Sequence, residues 1–177
     1  MILTLIDTCT ASNAAACSFT SGIDSTYDEY MFVMTDVSPA TDATAFTVQF
    51  NAAGESGYNE DIHSCTFESS HNQGGTASFA YIDVDQERLS GDDPQIIATS
   101  VGNGADESCA GILQLFRPAN TTYVKHFYSR MHGHRSTDYA ETLFMNGWID
   151  VATAIDDVQF KFASGNMDGV IQMYGVA

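Results

Sequence analysis

Apolar and polar residues alternate with a period of two along most of this chain. The clearest stretch is TAFTVQFNAAG, where Phe46, Val48 and Phe50 share one face and Thr47, Gln49 and Asn51 the other. Successive side chains of an extended strand point to opposite faces, so the pattern predicts a strand with one face in a core and one in solvent. The stretch AIDDVQFKFASGNMDGVIQMYGVA repeats it. Val158, Phe160 and Phe162 point one way, Gln159 and Lys161 the other, a turn-forming SGNMDG follows, and a further strand runs through Ile171 and Met173. Similar runs at MILTLIDT, YDEYMFVMTDV, DIHSCTF, TASFAYI, PQIIATSV, CAGILQLF, TYVKHFYSRM and FMNGWIDV bring the expected total to about ten strands.

Between these runs lie VSPATD, NAAGESGYN, HNQGG, LSGDDPQ, GNGADES and RPANTT. Gly and Asn tolerate positive φ, and Pro cannot donate to a ladder, so such clusters mark turns; Pro39, Pro94 and Pro118 all fall in them. No twelve-residue stretch carries a 3.6-residue apolar period, and DVDQERLSG offers one helical turn at most. Short strands at regular spacing predict an all-β fold, an antiparallel β-sandwich of jelly-roll-like type. Nothing alternates strand with helix, which excludes a doubly wound fold. No fixed-period repeat or composition shift divides the chain, so residues 1–177 are expected to form a single β-sandwich domain.

Composition supports a packed core. A chain of 177 residues can bury roughly 70% of its unfolded surface as one domain. Charge changes the picture more: six basic residues face twenty-three acidic ones, a formal balance of -17. Such a surface repels phosphate backbones and anionic membranes, so neither nucleic acid nor membrane is an expected partner. No basic leader precedes an apolar run, and no segment approaches the roughly 20 apolar residues of a membrane span, so a soluble protein made in the cytoplasm is expected. Cys9, Cys17, Cys65 and Cys109 lack the close spacing of metal knuckles, and buried free thiols are the expectation. Cys9 and Cys17 can face each other across a hairpin, given an oxidising environment.

The densest chemistry lies in HFYSRMHGHRSTDY, which gathers His126, Arg130, His132, His134, Arg135 and Asp138. On a strand His132 and His134 would share a side, as two metal ligands do. Without a third ligand at a recognisable distance, the segment reads instead as a polar loop. Lys125, Arg130 and Arg135 make a local basic patch on an acidic chain, a place for an acidic neighbour to dock. Asp83, Asp85 and Glu87, with Asp106 and Glu107, offer oxygen ligands for calcium, but their spacing fails the twelve-residue calcium loop and reads as an exposed acidic edge. No Gly-x-Ser-x-Gly elbow and no activated Cys is evident. Asp28–Glu29 and Asp156–Asp157 are adjacent in sequence, so on strands each pair splits between two faces and cannot flank one glycosidic bond. No catalytic residue, cofactor or metal is assigned. Trp148, one of twenty aromatics, is expected in the core, with a sugar-stacking platform as the alternative.

As a whole, FTSGIDSTYDEYMFVMTDVSPATD, FNAAGESGYN, LFRPANTTYVKHF and IDDVQFKFASGNMDGVIQMYGV resemble a group of small virion structural proteins of tailed bacteriophages of aquatic bacteria. The resemblance covers most of the chain and attaches no catalytic residue to its motifs. It implies either a capsid decoration protein or a tail-fibre-associated one. Strands expected from residue 2 almost to the last residue, with no coiled coil or glycine-rich shaft, favour decoration. That is a non-enzymatic cement protein on the outer capsid surface, partnered by the major capsid protein and by copies of itself, with a trimer expected. Arg130, His132, His134, Arg135 and Trp148 are the candidate contacts. The alternative is a receptor-binding module whose rim, carrying Trp148, Tyr139 or the 132–135 segment, meets host glycans.

Overall fold

The computed structural model describes residues 2–81 and 90–177. Among them are twelve strands and no helix: β1 (Leu3–Ala14), β2 (Cys17–Phe19), β3 (Glu29–Pro39), β4 (Thr44–Ala52), β5 (Ile62–Asn72), β6 (Ala77–Tyr81), β7 (Gln95–Val101), β8 (Cys109–Phe116), β9 (Lys125–Arg135), β10 (Tyr139–Ile149), β11 (Ile155–Phe162) and β12 (Met167–Val176). Every pairing is antiparallel. The all-β antiparallel expectation holds, with twelve strands in place of about ten.

Eight of the strands form two sets of four, β1-β12-β3-β8 and β2-β11-β4-β7. This order arises when one long antiparallel ribbon is rolled so that its successive strands alternate between two sheets, which is the jelly roll. Two hairpins are inserted into it. The β9–β10 hairpin and the β5–β6 hairpin add to the free side of β8, giving a larger sheet in the order β1-β12-β3-β8-β9-β10-β5-β6. The smaller sheet keeps four strands.

The two sheets meet at both edges. At one, Val101 of β7 pairs with Arg135 of β9. At the other, Cys9 of β1 and Cys17 of β2 form a disulfide with a Cα–Cα distance of 5.9 Å. The expectation of four buried free thiols is corrected accordingly: Cys109 alone is a buried free thiol, and Cys65 is exposed. Burial pushes the Cys109 thiol far above its usual range and keeps it protonated. A cross-link closing a loop this short stabilises by about 2.5 kcal/mol through loop-closure entropy. Reduction is therefore expected to lower the melting temperature by about 5–10 °C, measured by calorimetry with and without reductant. An unchanged melting temperature would show that the bridge contributes nothing.

Between the sheets sits an aromatic core. Phe19, Phe32, Phe46 and Phe160 are fully buried, with ring centroids 5.3 Å apart for Phe19–Phe32 and for Phe32–Phe160. Each such side chain contributes about 1.5–3 kcal/mol by leaving water.

The polar face of β4 departs from the period-two reading. Thr47, Gln49 and Asn51 are buried like their apolar neighbours; the 53–61 and 90–94 segments lie over Gln49 and Asn51, and Thr47 Oγ1 donates to Lys161 O of β11 at 2.9 Å. The Gln49 Nε2 donates to Asp92 O at 2.7 Å and Asn51 Nδ2 to Glu55 O at 3.1 Å, while Glu60 Oε1 accepts from Ala52 N at 2.8 Å. Buried polar side chains that satisfy loop carbonyls hold the loops down at little net cost. Pro39 also differs from expectation. It closes β3 opposite Met167 instead of lying in the turn.

Candidate binding face and its rim

The HGHR segment, read above as a loop, is strand. β9 runs unbroken through His132 and His134 to Arg135, flanked by β8 on one side and β10 on the other. Pairing on both sides supplies the ladder energy that the polar sequence lacks. Alternation then sorts the side chains. Phe127, Ser129 and Met131 point into the protein and are buried, while His126, Tyr128, Arg130 and His132 are exposed.

Strand register extends this outward face across the inserted hairpins in rows: His63–Trp148–His126, Cys65–Asn146–Tyr128, Phe67–Phe144–Arg130, Ser69–Thr142–His132 and His71–Ala140–His134. All five histidines of the chain lie on it. Trp148 is not a core residue as expected. It is 39% exposed and stacks on the His63 imidazole with centroids 4.9 Å apart and planes 8° from parallel. Phe67 and Phe144 stack at 4.9 Å and 11°, and the Arg130 guanidinium lies 5.4 Å from the Phe144 centroid. That geometry lets the ring face attract the cation. Phe79 of β6, 69% exposed, packs beside Phe67 at 6.2 Å. The rings are held by one another before any partner arrives.

Toward β1 the outer face mixes apolar positions with polar ones such as Glu29, Gln172 and Thr8. One row runs Leu5–Tyr174–Met31–Gln114–Tyr128 across five strands, and Ile2, Leu3 and Leu5 are exposed at its end. A groove beside the row is lined by Phe116, Tyr123, Val124 and His126, with Arg117 and Asn120 at hand.

The proposed basic patch comes apart in space. Arg130 is the one of its three cations on the outer face. Arg135 points the other way, into the seam between sheets, where its Nε donates to Glu141 Oε1 at 2.8 Å and its guanidinium meets Thr99 Oγ1 at 2.7 Å and Glu68 Oε2 at 2.8 Å. The Thr99 amide also donates to Glu141 Oε2 at 3.0 Å. One guanidinium thus serves two carboxylates from β5 and β10 and ties both to β7. Burial, reinforced by the neighbouring Glu141 charge, raises the Glu68 pKa, and Arg135 opposes the rise. Lys125 is fully buried. Its Nζ donates to the carbonyls of Tyr123, Val151 and Ala152 at 3.1, 3.0 and 2.8 Å, and burial lowers its pKa.

At one end of the face lies a rim. His134 ends the β9 row, and a three-residue loop follows Arg135 in which Asp138 takes a left-handed conformation with φ 61°, the usual geometry of a three-residue hairpin loop. Asp138 therefore returns beside His134, its Oδ1 3.7 Å from Nε2. The 102–108 loop brings Glu107 to the same place, so that one ligand atom from each of Glu107, His134 and Asp138 lies within 4.8 Å of the others. Depressions lined by His71, Asn72 and Gln73 on one flank and by Asp106 and Thr137 on the other open onto them.

Of the sequence-predicted residues, Arg130, His132, His134 and Trp148 share the outward face and Arg135 does not. Asp83, Asp85 and Glu87, read as a possible calcium edge, lie outside the described residues, as does the DVDQERL part of the predicted helical turn. Missed at the sequence level were Phe67, Phe79 and Phe144, whose shared face depends on which strands pair, and the grouping of Glu107 with His134. No protein-family model and no curated protein matches the chain.

Proposed function

We propose that this chain is a bacteriophage virion structural protein, a capsid decoration protein that seats on the outer surface of the major capsid shell and stabilises it without catalysing a reaction. The observation that carries the reading is the outward face of the larger sheet. On a chain with a formal charge of -17, this face exposes Phe79, Tyr128 and Trp148, pre-stacks Phe67 on Phe144 and places Arg130 among them. Aromatic rings and arginine on a rigid sheet are what protein interfaces use as anchors. Eight strands span about 34 Å across the ladder at ~4.8 Å each, a surface large enough to supply the roughly 800 Å² per partner of a stable interface. Acidic charge elsewhere keeps the free subunit soluble before it docks. The β1 edge, with Ile2, Leu3 and Leu5 exposed at its start, then meets a second copy around a symmetry axis, with a trimer as the expected cluster, which covers an otherwise open strand edge.

The test is co-sedimentation with purified capsids lacking the protein. The native chain is expected to bind at high copy number, and Trp148→Ser combined with Arg130→Glu to lower affinity at least a hundredfold while retaining the native circular dichroism and melting temperature. Immunogold label confined to a few copies at the tail tip, or undiminished binding by the double variant, would overturn it.

A second reading is favoured by the groove of Phe116, Tyr123 and His126 flanked by Arg117 and Asn120. Exposed rings beside hydrogen-bonding side chains suit a host-surface glycan, and the protein would then be a tail-borne receptor-binding module. A glycan array separates the two, since saturable glycan binding lost in Tyr123→Ala belongs to the second alone.

A further inference from the structure

From the convergence of Glu107, His134 and Asp138 we infer a binding site for one divalent transition-metal ion, of the zinc or manganese class, at the rim of the β9–β10 hairpin. Three separate segments supply the donors, an imidazole nitrogen and two carboxylates, within 4.8 Å of one another. Nitrogen together with oxygen suits a borderline cation better than calcium, which prefers all-oxygen shells.

The backbone holds these donors in register. His134 N donates to Ser108 O at 3.0 Å and Gly102 N to His134 O at 3.1 Å, so the 102–108 loop is bonded to both sides of the His134 peptide, and Asp138 N closes its own turn on Arg135 O at 2.9 Å. Gly102 and Gly104 make room for the third ligand. A Cβ on Gly102 would stand 2.1 Å from the Glu107 carboxylate and one on Gly104 2.7 Å from it. Neither glycine is in the left-handed region, so conformation does not require them, whereas the folded-back carboxylate does.

Charge points the same way, independently of the placement. Among the described residues neither Glu107 nor Asp138 has a Lys or Arg within 4.0 Å; the ion pairs there join other groups, apart from that of Asp138 with His134 itself. Arg135, next in sequence, is committed to Glu68 and Glu141 on the opposite face. Two carboxylates held together on a strongly acidic protein, with an imidazole beside Asp138 and the Gly104 amide donating to Glu107, lack a full positive charge that a divalent ion supplies. Tetrahedral zinc places its ligand atoms about 3.3 Å apart given bonds of ~2.0–2.1 Å. The His134–Asp138 separation of 3.7 Å is already near that, and the half-buried Glu107 carboxylate, whose Oε2 accepts from Gly104 N at 2.6 Å, stands within 4.8 Å of both. Three protein ligands leave coordination positions for water, or for a donor on a docking partner. The ion would clamp the 102–108 loop to the hairpin tip. The site stands independently of the capsid reading.

Calorimetric titration of chelator-treated protein with zinc chloride, and separately with manganese chloride, tests it. One ion per chain is expected to bind at micromolar concentration, with a rise of several degrees in melting temperature. His134→Ala and Glu107→Gln are each expected to weaken binding at least tenfold, whereas His126→Ala, on the same face but remote from the rim, leaves it unchanged. Cobalt substitution should give visible absorption bands that vanish in His134→Ala. No saturable binding, or binding that survives both rim substitutions, would overturn the assignment. So would equal affinity for calcium that is indifferent to His134→Ala, which would mark the rim as a simple carboxylate cluster.

Discussion

Replacing Arg135 by leucine is expected to cost about 3–5 kcal/mol of folding stability, the usual result of stranding a buried charge. Arg135 faces Glu141, whose side chain is 1% exposed, and Glu68, 11% exposed. With the guanidinium gone, two carboxylates from neighbouring strands remain in the seam, Glu141 with Thr99 as donor and Glu68 with the Ser70 hydroxyl, and desolvation and mutual repulsion both oppose ionisation. The loss depends on pH with a definite sign. Glu68 already has a raised pKa in the folded protein, and an acid whose folded pKa exceeds its unfolded value loses stability as pH rises through the folded value. The variant should therefore be least stable at neutral pH and recover part of the deficit on acidification into the carboxylate range. Urea denaturation of both proteins at several pH values measures this. A deficit below about 1 kcal/mol at pH 7, or one that does not shrink on acidification, would mean that the seam relaxes and admits water.

Lys125→Met is the second large effect, expected at about 2–4 kcal/mol. Methionine matches the length of the aliphatic stem, so packing is nearly conserved and the experiment isolates the ammonium. That group is the shared donor for the carbonyls of Tyr123, Val151 and Ala152, and an unsatisfied buried acceptor costs about 1–3 kcal/mol. Removing the desolvated charge returns part of this, which keeps the total below the sum of three. The melting temperature should fall by roughly 5–15 °C, and limited proteolysis should cut first in 117–124 and 150–154, the two loops that the ammonium joins. Cleavage elsewhere with an unchanged melting temperature would assign Lys125 no such role.

These two residues also mark where sequence reasoning reached and where it stopped. Strand identity was legible because apolar alternation is local, as at Phe46–Phe50 and Val158–Phe162, and turn chemistry punctuated it correctly at most breaks. Burial was legible only where it followed the same alternation. Gln49 and Asn51 look solvent-facing because nothing local announces that a loop will cover them. The apolar period of β9 ends at Met131 because His, Gly, His and Arg carry none, and what holds them is pairing with β8 and β10, which the segment itself does not announce. The same non-locality hid the rim. Given β9 as a strand, His132 and His134 share a side and Asp138 follows four residues after His134, but Glu107 reaches that rim only through the pairing of β8 with β9. Lys125, Arg130 and Arg135 cluster in sequence but not in space, because the alternation of β9 and the burial of its first residue disperse them.

The covalent tie between Cys9 and Cys17 fixes more than stability. β1 is an outer strand with most of its residues open to solvent, secured along one flank by β12, by Ile6, Ala11 and Ala14 against the core, and covalently by that bond. Where reductant is plentiful, β1 is held by non-covalent contacts alone, and its departure would leave β12 as a vacant template for the same strand of a neighbouring copy. Oxidation closes that route of exchange, so a population assembled before the thiols join can contain swapped members, whereas one assembled afterwards keeps each chain to itself.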